Sequence, residues 1–365
     1  MHITVRSGVR RRPYGSTVAA VLASAALLAG CGVLEGSGDE LQVVEDPEPA
    51  TAPPSPERTA TPQGTVIGDI GAELTDTAAA DVTALAVEAS TRSLVVAVTD
   101  SSDGDDAGDT GAAVLFSPLD DPTAVHAEIP VPGAVEQLVP DNGSVVATLP
   151  GEDELIHLSP EQGIVGRTDV TGSPAGVTGG ADTRLVAVRE RAEVDVLEHE
   201  QRSASIGDGL SSADRVLLAG DTPIVLDRVR SAVFQVNLDD GDIGPGLRAG
   251  QGATHAVADR FGRVLVTDTR TDGLLAFDAE PLMLVQRYPV HGGIYAIAYD
   301  AERDIAWVTL TERNEVVGFD VAGGEPDEIH RFDSVRQPNS VTVDEQDGRV
   351  VVGSAAGEGI QVIEP

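Results

Sequence analysis

Short apolar runs alternate with polar turns along most of this chain, and the alternation repeats about every forty residues. The clearest units are residues 254–278, 294–320 and 339–364. Each begins with an apolar run, continues through a polar turn into a second apolar run such as Arg263 to Thr267, and then reaches a third. In the first two units a more polar run follows, for example Met283 to Val290. Short strands at this spacing predict four-stranded antiparallel units.

Weaker copies of the unit lie upstream, so that seven copies can be aligned on their first strands. The gaps between successive copies are 53, 40, 39, 40, 40 and 44 residues. The long first gap is explained by an acidic insertion from Ser101 to Gly111. The aligned register places seven residues at equivalent positions, namely Thr83, Glu136, Gly176, Arg215, His255, Tyr295 and Asn339.

Seven such units predict an all-β fold, a seven-bladed β-propeller with four-stranded antiparallel blades over residues 65–365. One blade cannot bury both of its faces, and a closed ring leaves no large exposed edge. The last copy ends after its third strand, so we expect Thr65 to Leu74 to supply the fourth strand and close the ring. A barrel or a sandwich does not easily account for seven even repeats.

The last three units carry a family resemblance. The run His255-Ala256-Val257, followed by Gly262 to Asp268, resembles the repeats of YVTN/YncE-like and NHL-like propellers. The resemblance covers roughly residues 65–365 and implies the same fold, but it brings no activity with it.

The first thirty residues predict a lipoprotein signal peptide. A basic stretch from Met1 to Arg12 precedes a largely apolar stretch of 11 residues, Val18 to Leu28, which is too short to span a bilayer, since spanning needs roughly 20 residues. The stretch ends in Leu28-Ala29-Gly30-Cys31, which resembles the lipobox of bacterial lipoproteins. That resemblance implies acylation of Cys31 and a lipid-anchored protein on the extracytoplasmic face of the cell membrane. An ordinary secretory signal with an incidental cysteine is the alternative.

Residues 31–64 then predict a disordered tether, because they are rich in Pro, Thr and Glu and nearly free of large apolar side chains. Cys31 is the only cysteine, so no intramolecular disulfide is expected. The export route, general secretion or twin-arginine, stays open. Together, the lipobox, the absence of lysine and the propeller resemble an actinobacterial cell-envelope lipoprotein.

Charge restricts the class of partner. All 24 basic residues are arginine, which excludes a phosphate-binding P-loop and any lysine-based catalysis. Four of them lie in the leader, so 20 arginines face 60 acidic residues in the remainder, a net charge of −40. A surface this acidic repels nucleic acid. We expect a monomer, with no nucleic-acid partner.

The register predicts a candidate site, because the first strands of a propeller line its central channel. Glu136, Arg215, His255, Tyr295 and Asn339 should surround one mouth of that channel, with Thr83 beside them and Gly176 leaving a gap. Converging polar groups are typical of a ligand site, although channel mouths are wet and polar in any case. We therefore expect a binding or scaffold module for a protein or a cell-envelope ligand, with no catalytic residue and no cofactor.

A metal-dependent hydrolase or lactonase acting in the channel is the alternative. Glu136 and Asn339 could offer two oxygen ligands of the kind divalent cations prefer. However, the register supplies no acidic third ligand, and Arg215 would repel a cation. No metal site is therefore expected.

Overall fold

A computed structural model describes residues 48–70, 80–100 and 111–365 of the chain. It contains a short 3-10 helix, Pro150–Glu152, and otherwise strands. These are β1 (Thr65–Ile67); β2 (Ala80–Glu88), β3 (Ser93–Asp100), β4 (Ala112–Pro118) and β5 (Ala127–Val131); β6 (Gln137–Asp141), β7 (Ser144–Leu149), β8 (Glu154–Ser159) and β9 (Gly163–Asp169); β10 (Pro174–Gly179), β11 (Thr183–Val188), β12 (Glu193–Glu198) and β13 (Gln201–Ile206); β14 (Arg215–Ala219), β15 (Thr222–Asp227), β16 (Ala232–Asn237) and β17 (Asp242–Arg248); β18 (Ala253–Ala258), β19 (Arg263–Asp268), β20 (Gly273–Ala279) and β21 (Leu282–Pro289); β22 (Ile294–Asp300), β23 (Ile305–Leu310), β24 (Glu315–Asp320) and β25 (Asp327–Asp333); and β26 (Pro338–Asp344), β27 (Arg349–Ser354) and β28 (Ile360–Ile363).

These strands form seven four-stranded antiparallel sheets, which confirms the predicted propeller. Six sheets each take four consecutive strands, from β2–β5 (blade 1) to β22–β25 (blade 6). The first strands of neighbouring sheets contact one another, including β22 with β26 and β26 with β2, so they surround a central channel.

Blade 7 closes the ring as the sequence predicts. Its order is β26-β27-β28-β1, and β1 pairs antiparallel with β28 from Thr65 opposite Val362 to Ile67 opposite Ile360. The closing strand is shorter than the predicted Thr65 to Leu74. Residues 71–74 lie outside the described residues, as does nearly all of the acidic insertion from Ser101 to Gly111.

The core lies between the blades, because each sheet is covered by a neighbour on either side. The second strand of a blade is therefore buried along most of its length, as in β23, where every residue is buried. Trp307 on β23 is only 1% exposed and stacks on His330, with ring centres 5.3 Å apart. Gly318 makes room for it on the next strand, since a Cβ there would lie 2.9 Å from the indole ring. Trp307 is an exception in this core. Only 3% of the chain is aromatic, so aliphatic side chains fill most of the space between the blades.

Buried carboxylates fix the loops at one end of the ring, which we call the mouth face. The mouth face carries the loops that enter each first strand and the turns between second and third strands. Asp268 accepts a hydrogen bond from the Gly252 N–H (2.9 Å), and Asp227 accepts one from the Ser211 N–H (2.7 Å). Backbone groups that no strand can pair are satisfied in this way, which holds the loops around the channel in place.

Residues 48–64 differ from the disordered tether expected for that part of the chain. They contain only bends and no helix or strand, yet they lie on the mouth face from blade 4 to blade 7 before entering β1. Ala50 is only 3% exposed. Side chains of the propeller bind the backbone of this segment, a source of order that its own composition cannot reveal. The rest of the predicted tether, residues 31–47, and the predicted signal peptide lie outside the described residues.

Among the described residues, none belongs to a helix long and apolar enough to cross a membrane.

Candidate ligand site at the channel mouth

The predicted mouth residues lie around one cavity. Its volume is about 100 Å³, and Thr83, Glu136, Arg215, His255 and Asn339 all contribute to its lining. Tyr295 is not part of the lining. Its ring instead packs edge-on against the imidazole of His255, with ring centres 4.6 Å apart.

Strand pairing corrects the predicted register by one residue in several blades. Gly176, Arg215 and His255 share one position, each opposite the fifth residue of the second strand of its blade. The residues at that position in blades 1, 2 and 7 are Ala84, Gln137 and Ser340.

Thr83, Glu136, Tyr295 and Asn339 therefore lie one residue nearer the mouth end than the alignment implied. In blades 1, 6 and 7 the aligned residue lies within a β-bulge, as Thr83 does between Val82 and Ala84, whereas in blades 3 and 5 the bulge lies directly before Gly176 and His255. A bulge adds a residue without changing the hydrophobic pattern, so alignment cannot detect it. Arg215 and His255 are the deeper pair.

Arg189 neutralises the acidic side of the mouth. This residue follows β11 directly, and its guanidinium forms ion pairs with Glu136 and with Asp214, the latter at 2.8 Å. Asp214 is buried and also accepts hydrogen bonds from Ser212 Oγ (2.7 Å) and the Arg228 N–H (2.9 Å). The carboxylate of Glu136 is thus already bound to a cation.

Arg215 has no such partner. Within the described ranges, no acidic oxygen lies within 4.0 Å of its guanidinium and none of its side-chain nitrogens makes a hydrogen bond. Burial lowers the pKa of Arg215; the attraction of Glu136 opposes this effect without outweighing it, and the positive charge of Arg228 adds to it. An arginine remains protonated under these conditions, so the cavity holds an uncompensated positive charge.

Arg228 brings a second cation to the same side of the mouth. It follows β15, and it donates a hydrogen bond to the backbone carbonyl of Ala50. Its Nε atom is buried without a partner. Its charge acts on both Arg215 and His255.

His255 is neutral in this setting. Burial lowers its pKa to about 3, and the charges of Arg215 and Arg228 contribute. Its Nδ1 atom is buried and has no hydrogen-bond partner. Thr267 Oγ1 fixes the backbone around it by accepting a bond from the His255 N–H (3.2 Å) and donating one to the Tyr295 carbonyl (2.7 Å).

The mouth therefore has the chemistry of an anion site. Arg215 with free donors and the neutral imidazole of His255 line a small cavity, and the charge of Arg228 acts on both, whereas Glu136, the carboxylate in the lining, is paired with Arg189. Nowhere in residues 48–70, 80–100 and 111–365 do three or more His, Cys, Asp or Glu side chains form a group suited to a metal ion.

Sequence reasoning missed Arg189 and Arg228 as site residues. Arg189 directly follows Val188, the last residue of β11, and Arg228 directly follows Asp227, the last residue of β15. An alignment of second-strand ends, rather than of first-strand beginnings, would have placed them at the mouth.

Comparison with known proteins adds fold-level information. No protein-family model matches the chain, and no curated protein matches it. The hydrazine synthase of Kuenenia stuttgartiensis matches with a TM-score of 0.65 and 14% identity, over 84% of this chain and 99% of that one.

Two further solved structures have similar scores. A catalytically inactive His-to-Ala variant of virginiamycin B lyase from Staphylococcus aureus, solved with quinupristin, matches with a TM-score of 0.62 and 11% identity over 83% and 97% of the two chains. The protein U3-55K matches with a TM-score of 0.63 and 9% identity over 78% and 96%. At these identities the likeness shows the fold alone, so this chain is a seven-bladed β-propeller whose structural neighbours differ widely in function.

Proposed function

We propose that this protein is a binding module, anchored by a lipid on Cys31 at the extracytoplasmic face of the membrane, that takes an anionic group of its ligand into the channel mouth. The ligand is a protein or a cell-envelope component that carries a carboxylate or a phosphate. The observation that carries the proposal is the unpaired guanidinium of Arg215 beside the cavity.

Electrostatics supports this choice. Arg215 is half-buried without an acidic partner, and an anion bound to it by charge-assisted hydrogen bonds would compensate its charge. The isolated cation is conspicuous in a chain whose acidic residues outnumber its basic ones by 60 to 24. Arginine suits this role because its planar donors match a carboxylate or a phosphate.

The size of the cavity supports the same class of ligand. A volume of about 100 Å³ is several times the roughly 10–15 Å³ that a single water molecule needs on the same measure. That is enough for a carboxylate or a phosphate group but not for a whole large ligand. The remainder of the ligand would lie on the mouth face, whose loops are fixed by buried carboxylates.

Calorimetric titration with inorganic phosphate and with citrate tests the proposal. The protein should bind at least one of these probes, and Arg215→Met should weaken binding at least tenfold. Arg202→Met, on the outermost strand of blade 3, is the matched control and should bind as the natural protein does. Equal affinities for the Arg215 and Arg202 variants, or no binding of either probe, would reject the proposal.

A further inference from the structure

Four backbone carbonyls of residues 48–58, a segment we call the strap, accept hydrogen bonds from side chains of the propeller. Arg270 donates to Glu48 O and Arg228 to Ala50 O. Gln337 Nε2 donates to Pro53 O (3.1 Å), and Asn314 Nδ2 donates to Pro56 O (3.0 Å). The donors belong to blades 4 to 7, so the strap is held along its length.

The sequence of the strap suits this mode of binding. It contains Pro53, Pro54 and Pro56 within four residues, and such a segment extends without internal hydrogen bonds, which leaves its carbonyls free to accept. Ser55 supplies the remaining contacts. Its N–H donates to Gln337 Oε1 (2.8 Å), and its hydroxyl donates to Thr311 O (2.6 Å) and accepts from the Gln337 N–H (2.9 Å).

The mouth face also provides space for the strap. A Cβ at Gly252 would lie 2.8 Å from the Cβ of Ala50, and one at Gly293 would lie 3.1 Å from Cγ of Pro53. Both glycines belong to loops that enter first strands. The surface from Arg228 to Gln337 is therefore a groove shaped for an extended backbone.

The groove and the mouth share one residue. Arg228 holds the carbonyl of Ala50, and its charge also acts on Arg215 and His255 beside the cavity. A bond from arginine to an anion is stronger than one to a neutral carbonyl. An anion that takes the same donor of Arg228 would therefore displace the Ala50 carbonyl from it.

We infer that this groove is a binding site for an extended, proline-rich peptide segment, occupied here by the chain's own strap, and that the strap and the anionic ligand compete for Arg228. The inferred competition for Arg228 rests on the proposed anion site, whereas the inferred peptide-binding groove is independent of that site. Strap release would accompany ligand binding and would expose the mouth face to the rest of the ligand.

Tryptic cleavage after Arg58 reports strap release in the full chain. The chain has no lysine, and Arg58 is the only basic residue between positions 48 and 64, so cleavage within the strap occurs at one bond. In the closed state Arg58 pairs with Glu358 at 3.0 Å. When opening is fast relative to cleavage, the cleavage rate follows the open population.

The double variant Ser55→Ala with Asn314→Asp should release the strap without changing the mouth. It removes two hydrogen bonds of the Ser55 hydroxyl and the bond from Asn314 to Pro56 O, and Asp tolerates the positive φ of 53° at position 314. Asn142→Asp is the matched control, because Asn142 has a φ of 48° in an exposed turn on the opposite face.

Cleavage after Arg58 should be at least tenfold faster in the double variant than in the natural protein or in Asn142→Asp. Inorganic phosphate should accelerate cleavage after Arg58 in the natural protein, and it should leave the rate at which trypsin cleaves a small peptide substrate unchanged. The double variant should bind phosphate more tightly than the natural protein does. Equal cleavage rates in the double variant and the control would overturn the inference that this groove binds the strap.

Faster cleavage with unchanged phosphate affinity would overturn the competition while leaving both sites standing. Failure of both phosphate and citrate to bind any form would instead overturn the proposed anion site, and the cleavage rates would still test whether the groove holds the strap.

Discussion

The guanidinium of Arg228 donates a hydrogen bond to the backbone carbonyl of Ala50, which lies 178 positions earlier in the chain. This one bond joins the segment ahead of the propeller to the cationic side of its channel mouth. It means that residues ahead of β1 form part of the mouth face.

Ring closure depends on the packing of β1 against blades 1 and 7. Ile67 is 8% exposed and packs in a cluster with Val82, Leu115 and Ile360, whereas Val66 on the same strand is 42% exposed. Ile67→Ala should lower the free energy of unfolding by about 2–4 kcal/mol, and Val66→Ala by less than about 0.5 kcal/mol. Urea denaturation measures both, and similar losses in the two variants would show that β1 does not close the ring.

His255 makes the protein sensitive to mild acid. Its pKa is about 3 in the fold against 6.5 for an ordinary histidine, so the unfolded chain binds more protons between these values. Stability should therefore fall as the pH drops below 6.5, by about 1 kcal/mol between pH 7 and pH 5.5.

His255→Gln should flatten this part of the pH profile. His199→Gln should leave it unchanged, since the His199 side chain is 82% exposed. Denaturation curves at several pH values provide the comparison, and a His255→Gln profile that still falls like that of the natural protein between pH 7 and pH 5.5 would contradict the prediction.

Glu88 affects the stability of the fold at lower pH, and its hydrogen bonds connect blade 1 to blade 2. Its carboxylate accepts bonds from the Thr91 N–H (2.7 Å) and, across to blade 2, from the Gly143 N–H (2.9 Å). Burial opposes ionisation, but hydrogen bonds, from the Thr91 and Ser90 side chains among them, outweigh it and lower the pKa to about 2. The resulting stability is present above pH 4.5 and is lost as the pH falls toward 2.

Glu88→Gln should cost up to about 3 kcal/mol at pH 7, with the difference from the natural protein disappearing as the pH approaches 2. Glu161→Gln, at an exposed turn of blade 2, is the control. A cost for Glu88→Gln that does not change with pH would show that the charge of Glu88 is not what stabilises the fold.

Membrane attachment rests on Cys31 alone in this account. Cys31→Ala should move the protein from the membrane fraction to the soluble fraction, because no acyl chain can then be attached. Immunoblots of fractionated cells measure this, with Ser37→Ala as a control that should stay in the membrane. Continued membrane association of the Cys31 variant would refute the anchor.

The repeat pattern predicted the fold because burial between blades imposes it on every unit. Second strands such as β19 and β23 are covered on both faces, so their apolar runs are continuous and easy to align. Ring closure was also predictable, since the last copy lacks a strand and the sequence before the first copy offers one. The resemblance to YVTN/YncE-like and NHL-like repeats remains a prediction.

The site was only partly predictable. Glu136, Arg215, His255 and Asn339 do line one cavity, yet their relative depth depends on β-bulges that leave no mark on the apolar pattern. The strap was missed for a different reason: its order comes from Arg228, Asn314 and Gln337, which lie far away in sequence. Composition describes what a segment can bury by itself and not what other residues bind to it.

The anion site can be tested most directly by crystallography with selenate, an anion that scatters anomalously. Crystals soaked in selenate should show an anomalous peak in the mouth cavity within hydrogen-bonding reach of Arg215, and the peak should be absent from crystals of Arg215→Met. An empty mouth at selenate concentrations that saturate the protein in solution, or a peak that persists in the variant, would contradict the account.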